Sequence, residues 1–299
     1  MAIFISILVV SLVQVPVYAK RLDCWSQLYD EANISPEKMK VYKDKMYYGD
    51  GNRLDIGCKV AGVNSWPTVF VLYSSGYLRL KYPQSPDNTF GSSFVLGPGY
   101  WSGGSYYHNP QITEVKFDSK YSKMTVKAEN EDFEMEYRIK MSIKKGKIYV
   151  SVKEYVKAKN TVVLDQARMQ SGEAFKVIQV SSMYVDVNNN DMEYVEYRDN
   201  SKIVNTVYVA NKDGFILSNP AKLKKPVFDF VNKPNASPWQ VPTVSIVAKI
   251  KGSVAQGYVR KTSDSNDDNV GFWIGDGMIG KTIPKGSKLK YSYVLSAQN

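Results

Sequence analysis

KMTVKAENEDFEMEYRIKMSIKKGKIYVSV, residues 123–152, decides the fold class. Met124, Val126 and Ala128 alternate with Lys123, Thr125 and Lys127. Asn130-Glu131-Asp132 is a turn composition. Beyond it, Phe133, Met135, Tyr137, Ile139, Met141 and Ile143 alternate with Glu134, Glu136, Arg138 and Lys140. Lys144-Lys145-Gly146 reverses the chain again, and Ile148, Val150 and Val152 resume the pattern. Successive side chains of a strand point to opposite faces, so this period of two puts one face on a core and the other in water. Long two-faced strands joined by short turns build antiparallel sheets.

The same signal extends in both directions. Thr68–Tyr73 and Tyr77–Tyr82 are β-rich runs separated by Ser74-Ser75-Gly76, and Asp50-Gly51-Asn52 carries a hairpin-turn signature. Further strands are expected at Val162–Leu164, Phe175–Val180, Met183–Val187, Glu193–Tyr197, Ile203–Ala210 and Phe215–Leu217. Four more follow at Thr243–Ile250, Gln256–Arg260, Gly271–Ile274 and Lys288–Leu295. Ala221–Pro242 holds Pro226, Pro234, Pro238 and Pro242 and reads as an extended crossing loop. Helix signals are confined to the N-terminal part: Trp25–Ala32, and a start at Ser35-Pro36-Glu37 with Ser as cap and Pro in the first turn. The expectation is an all-β fold: a large antiparallel β-sandwich, jelly-roll or supersandwich-like, with one or two short N-terminal helices. No repeat or composition shift calls for a second domain, so residues 20–299 read as one unit.

Residues 1–19 carry no charge, and Ile3–Val15 is apolar apart from Ser6, Ser11 and Gln14. The run is short for a membrane span, which needs about 20 apolar residues, and it ends in Val17-Tyr18-Ala19. It therefore reads as a signal peptide cleaved after Ala19, which places the protein outside the cell. In that compartment the two cysteines, Cys24 and Cys58, are expected as a disulfide tying the N-terminal arm to the first hairpin; two buried thiols are the alternative. Lys and Arg total 39 against 29 Asp and Glu, a net charge of +10. A basic balance suits nucleic acid, a membrane surface or an acidic polymer. No nucleic-acid motif is present, and no later segment is apolar enough to span a bilayer. An anionic polysaccharide or cell-surface glycan is the expected partner, weighed against a face that is simply solvated. Asn33-Ile34-Ser35 and Asn235-Ala236-Ser237 match the glycosylation sequon, each followed by Pro.

The functional candidates concentrate in Tyr73–Pro110, which holds the only histidine, His108, and six tyrosines. Along Tyr77–Tyr82, Tyr77, Arg79 and Lys81 share one face and Leu78 and Leu80 the other. Gly97–Gly104 is Gly/Ser-rich and flanked by aromatics. Sugar rings stack on Trp and Tyr and need polar partners for their hydroxyls, so Tyr77, Lys81, Tyr100, Trp101 and Tyr106 are candidate substrate-binding residues. A loop whose rings pack into the core is the competing reading.

Chemistry beside a carboxylate-bearing carbon needs a base, a group that neutralises the carboxylate, and an acid for the leaving oxygen. Tyr107 or His108, Arg79 and Asn109 are the candidates for those roles, the scheme of a uronate polysaccharide lyase. A structural histidine is the alternative. Glu154, Asp165 and Glu173 are weaker candidates for a hydrolytic carboxylate pair. No cofactor or metal is expected beyond a low-grade Ca²⁺ signal in two Asx-rich loops, Asp186–Asp191 and Asp264–Asn269, neither of which is an EF-hand. The sequence thus points to a secreted carbohydrate-active sandwich acting on an acidic, uronate-containing polysaccharide by β-elimination. The alternative is a non-catalytic glycan-binding or cell-surface structural or adhesion protein.

Overall fold

The computed structural model contains twenty-four strands among its described residues. The first six are β1 (Leu22–Asp30), β2 (Pro36–Glu37), β3 (Val41–Tyr42), β4 (Lys45–Met46), β5 (Asn52–Val60) and β6 (Thr68–Tyr73). Next come β7 (Leu78–Lys81), β8 (Ser93–Ser102), β9 (Ser105–Tyr107), β10 (Gln111–Phe117), β11 (Lys123–Glu129) and β12 (Phe133–Lys144). Then follow β13 (Lys147–Ala158), β14 (Val162–Val163), β15 (Val180–Asn188), β16 (Met192–Asp199), β17 (Lys202–Tyr208) and β18 (Gly214–Phe215). The last are β19 (Pro226–Asn232), β20 (Thr243–Ala248), β21 (Ser253–Arg260), β22 (Asn269–Asp276), β23 (Thr282–Ile283) and β24 (Lys288–Gln298). Besides these, the structure describes residues 110, 118, 122, 130–132, 159–161, 164–165, 200–201, 281 and 284–287. Side chains are described for 99–100, 102, 110–116, 118, 122–142, 144, 149–165, 193–204, 206, 208, 227–229, 231, 247 and 281–296.

The strands form two eleven-stranded antiparallel sheets and one small pair. The first sheet runs β18-β21-β22-β15-β8-β7-β6-β5-β1-β2, with β9 attached to β8. The second runs β17-β16-β19-β20-β24-β13-β12-β11-β10-β4-β3, and β14 pairs with β23. The all-β sandwich is therefore the observed class.

Alternation drives the second sheet. Met124, Val126, Ala128, Phe133, Met135, Ile139 and Met141 are all buried, whereas Lys123, Lys127, Glu134, Arg138 and Lys140 are exposed. The turn between β11 and β12 is held by Asn130, whose Oδ1 accepts the backbone N–H groups of Asp132 at 3.0 Å and Phe133 at 2.8 Å, a local pairing that Asn side chains favour. The buried face also contains Glu154, fully enclosed on β13 and opposite Tyr137 on one side and Tyr291 on the other. Burial first, and the Glu154 charge second, push the Tyr137 phenol well above its usual range.

Four expectations are corrected. The residues expected as the first helix lie largely in β1, which pairs position by position with β5 from Leu22↔Val60 to Asp30↔Asn52. Pro36-Glu37 likewise pairs with β1. A segment this short is marginal as an isolated helix, and the ladder satisfies its backbone donors and acceptors instead. Asp50-Gly51-Asn52 does not close a hairpin between β4 and β5, since β4 belongs to the second sheet and β5 to the first; Asp50 and Gly51 themselves lie outside the described residues. Ala221–Pro242 is no plain loop, because β19 sits inside the second sheet between β16 and β20. Pro226 is the first residue of that strand, a position where a missing N–H is tolerated. On β19, buried Asp229 accepts the Arg198 Nε–H at 2.9 Å.

Candidate functional site

The middle strand of the candidate site is β8. Along one edge it pairs with β15, from Ser93↔Asp186 to Tyr100↔Val180. Its other edge is shared by two short strands. β7 covers Ser93 to Leu96, and β9 covers Tyr100 to Ser102. Between them lies Gly97-Pro98-Gly99. There β8 advances three residues, Leu96 to Gly99, while β15 advances two, Met183 to Ser181. This is a bulge with one extra residue on β8, and Pro98 suits it because proline cannot donate to a ladder. The last β7 pair, Leu78↔Leu96, and the last β9 pair, Tyr107↔Tyr100, are four residues apart on β8. At ~3.3 Å per residue that interval is about 13 Å.

Trp101 pairs with Tyr106 and Tyr100 with Tyr107, so the β8–β9 hairpin sets aromatic residues at opposed register positions of two adjacent strands. Among the described residues, two of its side chains tie it to elements beyond its own sheet. Tyr100 is fully buried, and its hydroxyl donates to Asp132 Oδ2 at 2.7 Å. Its ring meets Phe133 edge to face, with centroids 5.0 Å apart and planes at 86°. The Ser102 hydroxyl donates to the Val163 carbonyl at 2.8 Å. Tyr100 therefore joins the first sheet to the β11–β12 turn of the second, and Ser102 joins the hairpin to the small sheet. Sequence reading named Tyr100 as a sugar-stacking ring; the fold places it in the core, with no ring face at the surface.

Arg79 and Lys81 lie on β7 opposite Val95 and Ser93. Arg79 and Tyr107 are thus five β8 residues apart in register, about 17 Å along an extended strand. The two share a neighbour strand but not a register position, a separation that sequence order alone does not reveal. Tyr77, His108 and Asn109 lie outside the described residues. Tyr77 directly precedes β7, and His108 directly follows β9.

Cys24 and Cys58 are direct partners across β1 and β5. Opposed residues of an antiparallel pair have Cα atoms ~4.5–5.5 Å apart, within the ~4.4–6.8 Å that a disulfide spans. Of the three carboxylates named for hydrolysis, Glu154 is sealed in the second sheet's buried face, Asp165 is half-buried, and Glu173 lies outside the described residues. The strand ends next to the two Asx-rich loops meet in register at Asn188↔Asn269, while 189–191 and 264–268 lie outside the described residues. Among the described residues there is no group of His, Cys, Asp and Glu suited to a metal ion. Nor is any helix there long and apolar enough to cross a membrane. Residues 1–19 lie outside the described residues.

No family model matches the chain, and no curated protein matches its sequence. Solved structures with a similar fold include a galactose mutarotase related enzyme from Lactobacillus acidophilus, at 11% identity and TM-score 0.41, covering 82% of this chain and 97% of that one. Another is the galactosidase domain of an alpha-galactosidase-sucrose kinase, at 8% identity and TM-score 0.42, covering 85% of this chain and 40% of that one. A third is a polysaccharide lyase, at 13% identity and TM-score 0.35, covering 88% of this chain and 32% of that one. Each is named for an activity on sugars. At these identities and TM-scores they assign the chain to no family.

Proposed function

We propose that the protein is a secreted carbohydrate-active β-sandwich that cleaves an acidic, uronate-containing polysaccharide by β-elimination, at the interval on β8 between β7 and β9. The observation that carries the reading is the shared edge: β7 and β9 both end against the Gly97-Pro98-Gly99 bulge, leaving about 13 Å of β8 between them. Bulges recur beside active sites because they interrupt pairing and re-aim side chains. The chain's single imidazole, His108, follows β9 directly, and Tyr77 precedes β7.

The chemistry needs a base that removes the proton on the carbon bearing the uronate carboxylate. The glycosidic C–O bond at the adjacent carbon then breaks, a carbon–carbon double bond forms, and the leaving oxygen gains a proton. An imidazole with its ordinary pKa near ~6.5 is largely neutral, hence basic, at pH 7. His108 is assigned the abstraction and the Tyr107 phenol the leaving oxygen. The Asn109 amide stands next to them in sequence and is assigned to the reacting carboxylate. Arg79 and Lys81, farther along β7, fit carboxylates on neighbouring sugars better than the one that reacts. Trp101 and Tyr106, paired on the anchored hairpin, supply flat apolar surface for sugar rings.

The test is a screen for unsaturated uronate ends by ultraviolet absorbance on polygalacturonate, alginate and glycosaminoglycans. His108→Ala should lower turnover roughly a hundredfold or more. Full activity in that variant transfers the base role to a tyrosine. No unsaturated ends from any uronate polymer would sink the lyase reading and leave a non-catalytic glycan-binding protein.

A further inference from the structure

The outward face of the second sheet carries a second feature, far in sequence from the hairpin. Register fixes which side chains are neighbours there. Lys123 on β11 stands directly opposite Lys140 on β12, and Arg138 on β12 directly opposite Lys153 on β13. Like charges at directly opposed positions destabilise a sheet, yet this face has these two pairs side by side and a third, Lys157 opposite Lys288, two rows on. Among the described residues a carboxylate reaches only one of the four cations in the first two pairs, Arg138. Glu114 pairs with Lys127 at 3.5 Å, Glu134 with Lys157 at 2.9 Å and Glu129 with Lys159 at 3.2 Å, and Glu136 pairs with Arg138. Each of these acids is engaged by a different cation. Lys123, Lys140, Lys153 and Lys290 are exposed and form none of the ion pairs among the described residues.

Those four lysines lie on a diagonal. Lys123 and Lys140 share a row; Lys153 is one row along on β13; Lys290, opposite Tyr155, is one row farther on β24. Three strand steps of ~4.8 Å and two row steps of ~6.6 Å give a stripe about 20 Å long. Along it the backbone positions are about 5, 8 and 8 Å apart in turn. Half-exposed hydroxyls flank them: Thr125 opposite Arg138, Ser151 opposite Lys140, and Ser292 opposite Lys153. At the Lys290 end, the Tyr155 ring supports two cations, Arg138 Cζ at 4.9 Å and Lys290 Nζ at 5.4 Å from its centroid.

We propose that this diagonal is a docking surface for a linear acidic polysaccharide, distinct from the β8 site. A lysine every ~5–8 Å along one sheet face matches a polymer with about one carboxylate per sugar ring, and the hydroxyl side chains between the lysines match sugar hydroxyls. Duplex DNA is far denser, with one charge per ~1.7 Å of axis. Proteins that hold single strands rely on open aromatic faces for stacking, and here the Tyr155 ring is already occupied by two cations. The repulsion among the lysines is released when the polyanion binds, so affinity should fall as salt rises.

The test measures binding of the full chain to polygalacturonate by titration calorimetry at low salt, with dextran and oligothymidylate as comparison ligands. It reads binding whether or not the polymer is cleaved, so failure of the elimination reading leaves it intact. Lys140→Gln/Lys153→Gln should bind polygalacturonate at least tenfold more weakly, with a shallower salt dependence. Its melting temperature should be equal or higher, because the substitutions relieve two like-charge pairs. If the double variant does not fold, Lys153→Gln alone should show about a threefold loss. Wild-type affinity in the variants overturns the proposal. Equal binding of dextran overturns its charge basis. Oligothymidylate binding as tight as polygalacturonate, lost in the same variants, replaces the polysaccharide with nucleic acid.

Discussion

Replacing Tyr100 by phenylalanine removes one oxygen and nothing else. That oxygen donates at 2.7 Å to Asp132 Oδ2 and belongs to a fully buried residue. Hydrogen bonds to charged groups contribute about 1.5–3 kcal/mol. Asp132 is half-buried, so water can replace part of the lost bond, and the lower figure, ~1.5 kcal/mol, is the expected loss. A chain of 299 residues has an unfolding entropy of about 0.6 kcal/mol per kelvin at ~2.1 cal/mol/K per residue, so the melting temperature should drop by about 2–3 °C. Tyr100→Ala also removes the ring that meets Phe133 edge to face. Truncating a buried ring costs about 3–5 kcal/mol, so its drop should be about 7 °C. Because the hairpin hangs on this residue, Tyr100→Ala should also weaken glycan binding, whereas Tyr100→Phe, which keeps the ring, should not. Calorimetric melting of both variants, and of each combined with Asp132→Ala, measures the coupling directly. A Tyr100→Phe shift below about 0.5 °C, or a coupling energy with Asp132 near zero, would show that the contact between the sheets stores no stability.

Two further outcomes follow from the same strands. Cys24 and Cys58 face each other in register, and a bridge between them is expected to add about 3–4 kcal/mol by restricting the unfolded chain; two titratable thiols in the denatured, unreduced protein would refute it. Tyr137 is the pH case: its folded pKa is raised above 10.0 by burial and then by Glu154, so the stability it contributes is complete below pH 10 and declines as pH rises through and beyond that value. Phenolate absorbance of Tyr137 should appear together with alkaline unfolding, and Tyr137→Phe should flatten the stability loss above pH 10; ionisation of this residue in the still-folded protein would contradict its enclosure.

The sequence by itself determined the class of fold, because burial on one face of a strand imprints a period of two that needs no knowledge of the partner strand. Residues 123–152 show this, since the strand bounds of β11, β12 and β13 and the faces of their described side chains lie where alternation puts them. Tertiary structure decided the rest, for reasons of non-local pairing. β1 is a strand because β5 offers it nine partners, about thirty residues on. The prolines around residues 226–242 frame β19 instead of forbidding it, since only position in the sheet determines whether a missing N–H matters. The aromatic content of Gly97–Pro110 was plain in the sequence, but its direction was not. A Gly-rich loop can aim a tyrosine inward or outward, and Tyr100 turns inward because Asp132 and Phe133 from the other sheet meet it there. The lysine diagonal was invisible for a related reason. Lys123, Lys140, Lys153 and Lys290 are scattered along 168 residues, each an ordinary solvent-facing position in its own strand. They become neighbours through hydrogen-bond register, a property of pairs of strands that no single segment encodes.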